Sequence, residues 1–226
     1  MMCAIHQPHL YPNAGWFHKL VKSDVFVVLT LVDMNYRSYI HRCKLSTGSE
    51  ALWGSLSVDK SAEIIGDVKL INDDPLKKSL KGIFGNAYSK SEFDFEINSK
   101  SMSEYNQTSV INVLKYYGLA EVEDRMITDH DLIMNNGESI EEYQNMPGSQ
   151  KMAYLTRLAK CDKYYSGALG INYLDKKDFE GIELLYSTFK EVPYKQKQNT
   201  EFVPGCSVVD FIINKPELDF KNYIGL

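Results

Sequence analysis

Cysteine is scarce and scattered. The four in 226 residues are Cys3, Cys43, Cys161 and Cys206, too far apart for paired metal-ligand spacing or a dense disulfide framework. They read as reduced thiols of a cytoplasmic protein, and no metal site is expected. Long apolar runs are missing, so no membrane-spanning helix is expected. A basic-then-apolar leader is missing too, so no secretory signal is expected. Basic residues are not in excess, with 25 Lys and Arg against 30 Asp and Glu. That balance excludes a general nucleic-acid surface but leaves a local nucleotide pocket open. No internal repeat, linker, glycine-rich dinucleotide loop, convincing carboxylate pair or Ser-His-Asp order is found. A hydrophobic content of 44% supports a full core without staples, and one domain over 1–226 is the simplest division.

Histidine is also scarce, but unevenly placed. Three of the five, His6, His9 and His18, fall in the stretch IHQPHLYPNAGWFHKLVKSDVFVVL. A short apolar strand at 3–5 is broken by Pro8 and Pro12. Trp16 then pairs with Leu20, and Phe17 with Val21, at i,i+4 of a helix, which sets His18, Lys19 and Lys22 toward its other side. After Asp24, VFVVLTLV is apolar on both faces and reads as a central strand of a covered sheet. Strand, loop, helix, strand is the opening of an α/β sheet. A loop between such a strand and the helix N-terminus is the usual ligand site, and its N–H groups favour phosphate or carboxylate. His6 and Gln7 lead the candidates there, ahead of His9 and His18. The competing reading makes them turn residues that satisfy local backbone groups.

Further along, RSYIHRCKL reads as an alternating polar strand with Arg37, Tyr39 and His41 on one face. Arg42, more than Arg37, suits a forked contact to phosphate or carboxylate, and His41 suits proton transfer near neutral pH. A charge-blunted edge strand is the plainer alternative. ALWGSLSVD reads as its hairpin partner and EIIGDVKLI as a further strand. Asp73, Asp74 and Pro75 open a helix striped by Leu76, Leu80, Ile83 and Phe84. TSVINVLKYYGLA is a helix ending near Gly118, and DRMITDHD a strand end with loops. Ser149 is expected to cap the helix SQKMAYLTRLAKC, with Met152, Leu155 and Leu158 inward. In KYYSG, the Ser166 hydroxyl and its turn suit an anion, with Tyr165 alongside. IELLYSTF fits helix or strand, and Gln198 is a plausible polar contact. Asp210 stands among apolar residues on a short helix capped by Ser207. It needs a partner or a solvent-facing position, and an Arg or His of the front half is the expected partner.

Taken together, the front loop, RSYIHRCKL, YYSG, NYLD, PYKQ and FVPGCSVVDFIIN resemble the WbqC-like family, in blocks covering about residues 5–44 and 161–214. His6, Gln7, Pro8, Pro12, Gly15, Lys19, Asp24, Arg42, Ser207 and Asp210 fall on its patterned positions. The chain departs from the pattern at His9-Leu10-Tyr11, where the family has Asn-Tyr-Leu, and at Asn13, often Trp. Asp33 stands near a family Gln, and His41 where Asn is common. Many members are bacterial and encoded beside genes for O-antigen and other surface polysaccharides. The resemblance implies a role in making or modifying activated sugars.

The resulting expectation is a single α/β domain with a Rossmann-like, mostly parallel sheet core and a helical insertion. Its function is expected to be that of a transferase on a nucleotide- or acyl-activated small molecule, with a polar sugar acceptor. His6 or His41 would move the proton. Gln7, Lys19, Arg42, Asp210, Tyr165 and Ser166 would bind substrate, with Tyr11 and Tyr165 against the sugar. No cofactor, nucleic acid or membrane insertion is expected. A non-catalytic binding protein of the same pathway and a metal-dependent hydrolase remain the alternatives.

Overall fold

Both faces of the opening strands are apolar, and both are covered. The computed structural model describes residues 1–47, 50–196 and 201–226. Strand β1 (Met2–His6) turns Cys3 and Ile5 to one layer and Ala4 to the other. Helix α1 (Ala14–Lys22) leads to β2 (Val25–Val28), where Val27 joins Cys3 and Ile5, and Phe26 and Val28 join Ala4. The alternation of a strand thus feeds two cores at once.

An insertion follows. It holds the antiparallel hairpin β3 (Arg42–Ser46) and β4 (Ala51–Ser55), then the ribbon β5 (Ser57–Val58) and β6 (Leu70–Asn72). Helices α2 (Asp74–Phe84), α3 (Asn86–Ser89) and α4 (Met102–Tyr116) complete it. The expected helical insertion is therefore mixed, with two small ribbons. The chain returns to the main sheet in β7 (Met126–Thr128), then runs through α5 (Asp129–Asn135), α6 (Ile140–Asn145) and α7 (Gly148–Leu158). Strands β8 (Lys163–Ser166) and β9 (Glu183–Tyr186) precede the closing helices α8 (Val208–Asn214) and α9 (Phe220–Ile224).

The main sheet has the order β7-β2-β1-β8-β9, and every pairing in it is parallel. Helices α1, α4, α8 and α9 bury one face, with Trp16, Phe17, Val113, Phe211 and Phe220 among their contributions. Helices α5 to α7 cover the other through Ile133, Tyr143 and Leu155. The domain is mixed α/β with a parallel sheet, consistent with the Rossmann-like core expected. No described helix is long and apolar enough to cross a membrane.

Several local expectations are corrected. Residues 37–41 do not form a strand; Ser38 closes a turn on Asn35, and Tyr39 accepts from the Leu10 N–H at 3.0 Å. In EIIGDVKLI the front half turns instead of extending. Ile65 and Gly66 donate to Val32 and Thr30 of the loop after β2. A Cβ on Gly66 would meet the Thr30 carbonyl oxygen at 3.1 Å, so glycine permits that approach. IELLYSTF resolves to strand because it pairs with β8. Gln198 lies outside the described residues.

Candidate active site at the centre of the sheet

The strand order decides where a ligand can enter. From β1 the chain crosses to β2 through α1 on one face. From β8 it crosses to β9 on the other, where Leu174 and Phe179 join the second core. The loops leaving neighbouring carboxyl ends therefore part, and a crevice opens between β1 and β8. A cavity of about 930 Å³ lies there, lined by Ile5, His6, Gln7 and Lys19 on one side and by Tyr164, Gly167 and Tyr173 on the other. Leu29, Val32 and Asp33 supply a third wall, and Gln144, Gly148 and Lys151 a fourth. Its size matches cavities that hold metabolite-sized ligands.

The front loop is clamped from three directions. The Trp16 indole Nε1 donates to the Gln7 carbonyl at 3.1 Å. Asn106 of α4 donates to both Pro8 and Ile40 at 2.7 Å. The Ser207 hydroxyl donates to the Tyr11 carbonyl at 2.6 Å, where Tyr11 holds a left-handed φ of 40°. Within this frame His6 Nδ1 lies 3.2 Å from the Gln7 carbonyl oxygen. A carbonyl only accepts, so the proton belongs on Nδ1 and Nε2 keeps its lone pair. Burial, then the neighbouring His9 and Lys19, hold the His6 pKa well below the usual histidine value. The ring is therefore neutral at pH 7 and presents a lone pair at Nε2, a weaker base than a free imidazole. His9 stands edge-on to His6 at 4.5 Å, stacks on Tyr39, and is pushed by burial to a pKa of about 3.

Lys19 departs most from its sequence reading. The helix pattern assigns it to the outer side of α1, yet it is 6% exposed and reaches under the end of β1. Its ammonium donates to the Ile5 carbonyl at 2.8 Å. Among the described residues no carboxylate lies within ion-pair distance and no second acceptor is in reach. Burial lowers its pKa to about 8. His18 is buried as well, bonded to the Ile224 carbonyl and to the Tyr165 hydroxyl.

The opposite wall is set by α7. Ser149 does not cap it; Pro147 stands at the cap position and supplies no side-chain acceptor, while the Ser149 hydroxyl accepts from the Asp175 N–H at 2.9 Å. Lys151 lies over the Tyr143 ring at 5.4 Å. The Tyr143 hydroxyl donates to Asp129, a fully buried carboxylate that also accepts from Thr30 N, Leu31 N and the Thr30 hydroxyl. Asp129 thereby fixes the loop after β2, from which Val32 and Asp33 reach the cavity.

The cavity brings together His6, Gln7 and Lys19 of the sequence-nominated residues. The others lie elsewhere. Arg42 stacks over Trp53 at 4.2 Å and donates to the Ser38 and Arg37 carbonyls, which occupies its fork. His41 is buried edge-on to Tyr36, its Nδ1 without a partner. Tyr165 points to the α1 layer; its strand neighbour Tyr164 lines the cavity instead. Ser166 lies under the turn that follows β8, so close that a Cβ on Gly170 would sit 2.0 Å from its hydroxyl. Tyr11 is buried against Phe93 and Phe95. Asp210 has no Arg or His partner. Its oxygens accept from Ser46, Tyr194, Gln196 and Asn214, tying β3 to α8. Tyr164 and Gly167 belong to the nominated KYYSG stretch; sequence reasoning missed Lys151, Gln144 and Asp129. The Pro147-Gly148 pair marks the start of α7, and the Asp between β7 and α5 marks a junction, but neither points to a cavity without the sheet order.

A model of the WbqC-like protein family matches residues 7–221. The chain belongs to that family. The WbqC-like match spans both loops that bound the crevice, the one after β1 and the one after β8. Membership suggests a role in surface-polysaccharide biosynthesis. No curated protein and no solved structure matches the chain significantly.

Proposed function

We propose that the chain is a transferase of surface-polysaccharide biosynthesis and that the cavity between β1 and β8 receives its activated substrate. The observation that carries this reading is the meeting of a neutral imidazole, an unpaired buried ammonium and a carboxamide on one cavity at the reversal of strand order. His6 Nε2 takes the proton of an attacking hydroxyl or amine. Lys19 stabilises negative charge that develops on the leaving group. Gln7 orients one of the two reactants. The remaining nominated residues lie off the cavity: Ser166 packs under the turn after β8, Arg42 holds the Ser38 and Arg37 carbonyls, His41 packs on Tyr36, and Asp210 ties β3 to α8.

Thermal-shift titration with sugar nucleotides and acyl-coenzyme A thioesters, followed by turnover assays on any binder, tests this. A ligand that raises the melting temperature is expected to be turned over by the wild type. His6→Ala should keep binding but lose 10²-fold or more of the rate, the scale of a lost general base (about 10²–10⁴-fold). Binding without turnover in the wild type would favour a carrier role in the same pathway and overturn the transferase reading.

A further inference from the structure

Two features of the cavity wall are donors with capacity to spare. The Lys19 ammonium has three N–H groups, of which one meets Ile5. The residue is only 6% exposed and lines the cavity, a costly position for a charge with no carboxylate opposite among the described residues. Across the cavity, α7 is eleven residues long and begins without a side-chain cap. Gly148 at its first position lines the cavity, and a Cβ there would meet nothing within 4 Å. Its first-turn N–H groups and the positive end of the helix dipole are therefore open to a ligand. The phosphate-friendly helix start that the sequence places at α1 is, by contrast, closed: Asn13 caps it by accepting from the Trp16 N–H.

We propose that the cavity carries an oxyanion subsite for a diphosphate group, held by Lys19 on one side and by the uncapped first turn of α7 on the other. Lys151 adds positive charge at the rim. This rests on the activated-substrate reading and deepens it, because sugar nucleotides and coenzyme A thioesters share a diphosphate. The single carboxylate on the cavity, Asp33, makes no ion pair with either lysine.

Isothermal titration with inorganic pyrophosphate tests the subsite directly. The wild type should bind saturably at millimolar concentration. Lys19→Met and Gly148→Asp should each weaken binding about tenfold or more, one ionic contact's worth. Both variants should fold, since methionine suits the buried position and an aspartate favours a helix start. UDP and coenzyme A as second ligands then show which diphosphate carrier fits. No saturable heat with the wild type would overturn the proposal, and unchanged affinity in either variant would remove that residue from the subsite. Pyrophosphate carries neither the sugar nor the acyl group that the transferase reading moves. Its binding therefore stands or falls apart from turnover: saturable binding without any transfer would sink only the transferase reading.

Discussion

Lys19 carries the strongest consequence of any single residue. Its folded pKa of about 8 lies below the ordinary lysine value of 10.5. Between those two values the unfolded chain binds more protons than the folded one, so stability rises with pH across that window. Below it, the folded protein bears the whole cost of an unpaired buried ammonium. Lys19→Met should therefore be at least as stable as the wild type at pH 7. Its advantage should shrink as the pH is raised from about 8 toward 10.5. Urea denaturation of both proteins across that range measures the gap; a gap independent of pH would mean that the ammonium is solvated. The sequence could not reveal this burial. Helical spacing sorted the apolar partners Trp16, Phe17, Leu20 and Val21 correctly, but it gives only the direction of a side chain from its own axis. That the end of β1 lies in the path of Lys19 depends on how the helix docks.

At the level of elements, the legible parts were those with a local cause. β1, α1, β2, the β3–β4 hairpin and the Ser207 cap of α8 follow from alternation, helical spacing and capping chemistry. The illegible parts were settled by distant partners. Residues 37–41 turn because Leu10 and Asn106 bond them, and the Ser149 hydroxyl is taken by Asp175 rather than by its own helix. Asp129 shows how much one junction can hold. It links β7, the loop after β2 and α6 through hydrogen bonds to N–H and O–H donors. Asp129→Asn puts an amide NH₂ against those donors. It should lower stability by about 3 kcal/mol or more, as expected when a buried charged acceptor loses several bonds. A shift of the urea midpoint at unchanged slope would show it. A change below about 0.5 kcal/mol, typical of surface sites, would mean the loop is held by other contacts.

On the scale of the whole molecule, the general placing of the cavity was readable before its walls were. A front loop after a central strand is where α/β sheets bind ligands, and the cavity does include His6 and Gln7. What the residues could not disclose is which strand sits on the far side of β1. The answer, β8, brings in the turn Ala168–Asn172 with Leu169 at 75% exposure and Ile171 at 67%, an apolar lip on a charged cavity. It also brings the start of α7 to the cavity that Lys19 of α1 reaches. Knowledge of the strand order converts a list of polar residues into two facing walls.

That order has a consequence for how the protein is made. Central strand β1 pairs with β2 close by in the chain and with β8 far along it. At ~5–20 residues per second, synthesis of the stretch between Val25 and Lys163 leaves one edge of β1 unpaired for on the order of ten seconds. The crevice thus cannot exist until β8 has been made, after β1, β2 and β7, and refolding should repeat the sequence of events, since distant pairings close slowly. In pulse-labelled hydrogen exchange during refolding, amides of Val25–Val28 should gain protection before those of Lys163–Ser166. Simultaneous protection would mean that the sheet forms in one step. If the order holds, a nascent chain cannot form the crevice until Ser166 has emerged, and a compound that binds there should have no effect on the first phase of refolding.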